Sequence, residues 1–174
     1  MTSELLEFVL HHIDDEWNRL LKDFIQFSPE AFHWQPDTNI HSIGWHVRHV
    51  IEWRYALVHV MLCGHPNEER LYCLGWENDA EVNKLAANPG EWFEPRFSVQ
   101  DDVLFADRVR AITAADIAAL PPARWSEEKT FPWGANRVLD EIFEEARHSA
   151  LHRGHLRELK KAYARRYATA ASRR

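Results

Sequence analysis

Leu5, Val9, Ile13, Trp17, Leu20 and Phe24 recur at intervals of three or four residues along the start of the chain. That spacing lays an apolar stripe along one face of a helix and does not suit a strand, whose faces alternate at every residue. A helix is therefore expected over residues 3–27, with this stripe buried against partners. Ser28-Pro29 stops it, because proline disfavours helical backbone in the residue before it, and the pair can open a new short turn. Ile43, Val47, Val50, Leu57 and Met61 repeat the stripe and predict a second helix from Ser42 to Gly64, with Gly64 and Pro66 as its stop signal. Ser98 and Asp101 have the spacing of a capping box and open a third helix to about residue 111. Thr113 and Asp116 repeat that spacing and mark a short extra helix before Pro121-Pro122. "TFPWGAN" reads as a turn, after which Asn136 is expected to cap a long last helix over residues 137–168. No strand alternation and no internal repeat is apparent. Four main helices joined by loops predict an all-α helix bundle, one domain over residues 1–174. Residues 64–98 read as an irregular connection with a short helix near 80–87, and a connection this long is often a lid or pocket wall. Residues 169–174 read as a frayed tail.

The chain has 174 residues, 45% hydrophobic and 28% charged, which suits a soluble globular domain and excludes wholesale disorder. No apolar run approaches the roughly 18 residues of a membrane span. The N-terminus lacks a basic start and a signal-type cleavage site, so a cytoplasmic protein with no membrane partner is expected. The net charge of −6 argues against a nucleic-acid partner. The basic residues near the end (Arg157, Lys160, Lys161, Arg165, Arg166, Arg173 and Arg174) are expected to complement a helix C-terminus. Cys63 and Cys73 lack the CxxC spacing of a zinc or redox site and read as free thiols. The enriched residues are instead eleven histidines and eight tryptophans.

"ARHSALHRGHLREL" carries His148, His152 and His155. His148 and His152 lie about 40° apart on one helix face, one turn from each other. Leu156, Leu159 and Tyr163 share that face, which turns the pair toward the interior. An HxxxH pair can place two neutral imidazoles on one Zn, Ni, Cu or Fe ion. A catalytic metal usually takes about three protein ligands, and "HSIGWHVRHVIEW" offers His41, His46 and His49. His49 shares a face with Trp45, Trp53, Ala56 and Val60, and His46 lies partly on the same arc, so helix geometry leaves the choice open. His11, His12 and His59 are further candidates. Glu145-x-x-His148 has the spacing of di-iron bundles, but no second ExxH occurs on another main helix. Glu145 remains a candidate for orienting an imidazole. Glu52, three residues after His49, is either an orienting or acid–base group or a charge at the solvent border. Trp45 and Trp53 either wall an apolar pocket or fill the core.

Two of these stretches together resemble the DinB-like (DinB/YfiT-like) metalloenzyme superfamily. "SIGWHVRHVIEW" is similar to the family pattern in which S-I-G opens a helix and a ligand histidine follows five residues after the glycine. "HSALHRGHL" is similar to its H-x-x-x-H-R-G-Q-L, with His155 where glutamine often stands. The resemblance spans roughly residues 13–162 in helix order and implies a four-helix bundle of up-down-down-up topology. It implies a divalent-metal site on His49, His148 and His152, with Zn or Ni foremost and Fe an alternative. Many relatives are homodimers. Some are S-transferases or isomerases that use a low-molecular-weight thiol, which implies a small-molecule substrate and a metal-activated thiol or water. Residues 65–98 match no family pattern, so the substrate is not implied. Two other readings stay open: a non-catalytic, stress-linked bundle that binds metal or a small molecule, and a structural bundle whose histidines hydrogen-bond one another.

Overall fold

The computed structural model describes residues 3–75, 79–89, 94 and 96–171. Helix α1 runs Ser3–Phe24 and buries Val9, Ile13, Trp17, Leu20 and Phe24, the stripe expected of it. Leu5 stands apart, exposed at the helix start. The helix ends short of residue 27, and Ser28 caps a separate one-turn helix α2, Pro29–Phe32, by accepting from the Ala31 N–H. Ser42 likewise caps α3, Ile43–Arg54, through the Trp45 N–H. Beyond Arg54 the chain does not stay α-helical to Gly64. Tyr55–Leu62 continue as a π-helix, and Gly64 then turns the chain at φ 77°. Periodicity could not reveal this, because "YALVHVML" is apolar nearly all round.

Among the described residues of the following connection, Ala80–Asn83 form a short helix, α4, and most of the others are irregular. Helix α5 spans Val99–Ala119, and its Ser98/Asp101 capping box is present in both directions. The break expected near residue 111 does not occur. Thr113 does not cap a new helix; its hydroxyl donates back to the Val109 carbonyl and accepts from Arg54 Nε at 2.9 Å. A tertiary partner thus takes the group that the sequence offered as a cap.

A short 3₁₀ turn, Pro122–Ser126, leads into a hairpin of β1 (Glu128–Phe131) and β2 (Gly134–Arg137), paired antiparallel. No strand was expected here. Each strand has four residues and β2 is wholly exposed, so neither carries an alternation to read. Asn136 lies in β2, where its side-chain amide donates to Glu141 rather than capping a helix. Helix α6 runs Val138–Ala171, past residue 168, so the tail expected to fray from residue 169 is helical as far as Ala171. Arg173 and Arg174 lie outside the described residues.

Helix α1 packs on α5 and α6, and α3 packs on the same two. Trp17, Phe24, Phe32, Ile51 and Leu62 fill the space between them, each fully buried and contributing roughly 1.5–3 kcal/mol. Gly44 allows α3 to approach α2: a Cβ there would sit 2.9 Å from the buried Phe32 ring. The fold is therefore mostly helical, with one small hairpin leading into α6. Among the described residues, no helix is long and apolar enough to cross a membrane.

Candidate metal centre

The α3–α6 contact brings together histidines about a hundred residues apart in the chain. From α3 come His46 and His49, and from α6 His148, His152 and His155. The ligand atoms of His49, His148 and His152 lie within 4.8 Å of one another. His49 Nε2 faces His148 Nε2 at 3.1 Å, and the His152 ring centroid is 4.6 Å from each of the other two. His46 and His155 form an overlapping set with His152, in which His46 Nδ1 and His152 Nδ1 are 3.0 Å apart. His155 is exposed and His46 half-buried, whereas His49 and His152 are buried.

The proton on His49 can be assigned from its surroundings. Its Nδ1 faces the Cys73 carbonyl, which can only accept, so Nδ1–H donates and Nε2 of the neutral ring carries the lone pair. That lone pair points at His148. A backbone carbonyl that fixes the tautomer of an imidazole is a common support for a metal-ligating histidine. Two ligand atoms held about 2.0–2.1 Å from one tetrahedral ion stand roughly 3.3 Å apart, close to the His49–His148 separation. The three side chains therefore fit a divalent ion.

Burial, reinforced by neighbouring histidines, drives these imidazoles toward the neutral form. It lowers His46 to about 3, His148 to about 4 and His152 to about 2, and holds His49 well below its ordinary value. They are neutral, and so able to ligate, well below neutral pH.

A buried network supports His49 from behind. Glu52 Oε2 accepts from the Cys73 N–H at 2.6 Å, and its Oε1 accepts from Arg48 Nε at 2.8 Å. Arg48 also donates to Asp102 at 3.0 Å, and its guanidinium lies 4.1 Å from the ring centroids of Phe97 and Phe105. Burial pushes the Glu52 carboxyl up to about 7, against the pull of Arg48. Glu52 is thus fully buried rather than at the solvent border, and acts on the site by holding the backbone N–H of Cys73, the residue whose carbonyl orients His49. Glu145 is also buried, but one oxygen accepts from Ser149 and, among the described residues, the other accepts no hydrogen bond and neither meets an imidazole.

Trp45 stacks between His41 and His49, with centroids 3.6 and 4.7 Å away. His41 is engaged by Glu94 at 2.6 Å, while His12 packs on Phe8 and Phe143. Neither joins the cluster. Trp53 donates to the Leu74 carbonyl at 2.7 Å and, with Leu57, Trp133, Glu141 and His148, lines a pocket of about 220 Å³. The pocket therefore reaches the histidine cluster through His148. Its second tryptophan comes from the hairpin turn, which sequence reading did not connect to the site. The Cys73–Leu74 strap was missed too. Its one signal was Gly75, which adopts φ 77° and packs closely on Trp45 and His49.

Both cysteines are free, and burial raises both thiols, Cys63 to about 11 and Cys73 further. Neither is a thiolate at neutral pH.

No curated protein matches the chain. The family model of the DinB superfamily matches residues 12–156, a span that takes in most of α1, the whole of α3 and α5, and all five clustered histidines. The chain belongs to the DinB superfamily.

Proposed function

We propose that this protein is a divalent-metal-dependent enzyme that joins a low-molecular-weight thiol to a small, largely apolar molecule. The observation that carries this reading is the opening of the Trp53–Trp133 pocket onto His148, one of three converging neutral imidazoles. His49, His148 and His152 are the residues that would hold the ion. Once bound, a divalent ion with three neutral ligands supplies a Lewis-acidic position that favours the deprotonated form of a thiol or of water. The chain's own residues do the rest. The Cys73 carbonyl keeps the His49 lone pair turned inward, Glu52 and Arg48 hold that carbonyl in place, and Trp53 and Trp133 exclude water from one side. With Cys63 and Cys73 both held as thiols, the nucleophile comes from a cosubstrate. Hydrolysis by activated water is the other outcome of the same site. The reading includes an up-down-down-up four-helix bundle, Zn or Ni as the ion ahead of Fe, a homodimer, and a cytoplasmic setting with no nucleic-acid partner.

The test is a conjugation screen of small thiols with aromatic electrophiles, comparing metal-loaded, metal-stripped and His152→Ala protein. Faster conjugation by the loaded wild type alone supports the reading. Binding of metal and electrophile with no turnover of any thiol or ester would replace it with a sequestering role.

A further inference from the structure

A second group of ligand-type side chains shares no residue with the first. His59 lies in the π-helical segment, His65 follows the Gly64 turn, and Asp116 stands near the end of α5. The ligand atoms of all three lie within 4.8 Å of one another. One carboxylate serves both imidazoles: Asp116 Oδ2 is 2.7 Å from His59 Nδ1, and Oδ1 is 3.3 Å from His65 Nε2. The two rings are stacked, with centroids 4.6 Å apart, and Tyr55 packs against His59 at 4.9 Å. An ordinary His–Asp pair needs one imidazole. Here a second, on a half-exposed side chain, is drawn to the other oxygen of the same carboxylate.

We propose that His59, His65 and Asp116 bind a divalent transition-metal ion of the Zn²⁺ type. Two imidazole nitrogens and one carboxylate oxygen form a borderline donor set suited to such an ion and poorly suited to Ca²⁺ or Mg²⁺, which prefer all-oxygen surroundings. Ligand atoms on one tetrahedral ion stand roughly 3.3 Å apart, and the two Asp116–imidazole separations, 2.7 and 3.3 Å, already lie near that value. His59 and Asp116 are half-buried and held by their helices, and His65 forms the solvent side. The ion joins three separate pieces of chain: the π-helical segment, the turn after it, and α5. The connection that starts at His65 runs on to Cys73 and Leu74, whose carbonyls receive His49 and Trp53. The second site is therefore a staple at the root of the segment that shapes the first.

The experiment is calorimetric titration of the metal-stripped full chain with Zn²⁺, for wild type, His65→Ala, Asp116→Asn and His152→Ala. His65 is half-exposed on a turn, so its replacement leaves the core intact, and circular dichroism checks this. His65→Ala and Asp116→Asn are each expected to lose one binding event, or weaken it at least ~100-fold, while His152→Ala keeps that event. Zn²⁺ is also expected to slow amide exchange across residues 65–74 in wild type and not in His65→Ala. Unchanged stoichiometry and affinity in both His65→Ala and Asp116→Asn overturns the proposal. A single wild-type event removed only by His152→Ala also overturns it and leaves the first site standing. A single event removed only by His65→Ala upholds it and refutes the first.

Discussion

Metal affinity at the His49–His148–His152 cluster should hardly respond to acid over the range where histidine sites usually fail. Protons compete with a metal for imidazole, and an ordinary imidazole is half protonated near pH 6.5. Three such ligands would each be about 97% protonated at pH 5, costing roughly 30-fold apiece and about 30,000-fold together. In this chain the folded values are lowered, so the neutral form persists as pH falls and competition starts only near the folded pKa. With His148 at about 4, His152 at about 2 and His49 held well below its ordinary value by burial, the three stay largely neutral as the pH falls toward 5. The expected loss between pH 7.5 and pH 5 is under ~10-fold, against about 30,000-fold for three ordinary imidazoles. Competition against a chelator of known pH-dependent affinity measures it, with circular dichroism showing that the chain stays folded. A loss of ~100-fold or more by pH 5 would mean that the imidazoles titrate as if in water, and the argument from burial would fail.

Other substitutions probe separate parts of the account. His152→Ala removes a buried imidazole shared by both overlapping sets and should weaken Zn²⁺ at this site at least ~100-fold, whereas exposed His155→Ala should change it less than ~10-fold; equal losses in calorimetry would mean that the ion sits between His46, His152 and His155. Glu52→Ala leaves the Cys73 N–H without its acceptor and Arg48 with Asp102 as its remaining carboxylate partner, and should cost about 1–3 kcal/mol in urea unfolding. A cost below ~1 kcal/mol would show that the network does not hold the Cys73 strap. Gly44→Ala places a Cβ 2.9 Å from a fully buried Phe32 ring and should cost about 1–3 kcal/mol, read as a fall in Tm. An unchanged Tm would mean that α2 yields freely.

The helices were legible because a 3.6-residue period is written into which side chains are apolar. All of the α1 stripe but Leu5 lies in the core, and Ser42, Ser98 and Gly64 mark real ends. What stayed hidden depends on partners far along the chain. Thr113 looked like a cap until Arg54 claimed its hydroxyl. The hairpin has too few buried residues to leave a pattern. His148 and His152 were legible as a pair from helix geometry alone. The choice between His46 and His49 was not, because the carbonyl that orients His49 lies 24 residues away in an irregular strap. Whether Glu52 was an orienting group or a border charge stayed open for the same reason, since its surroundings come from that strap and from Arg48. The cluster is also larger than three: His46 and His155 close a second set around His152.

The most direct test of the central claim is the metal content of untagged protein, purified without added metal, measured beside its His49→Ala variant. The account predicts that wild type carries about one more Zn, Ni or Fe ion per chain than the variant, because His49 supplies a lone pair that the Cys73 carbonyl keeps turned toward His148. Equal metal content in the two proteins, persisting after divalent ions are offered, would contradict it and leave the histidines as a hydrogen-bonded polar cluster.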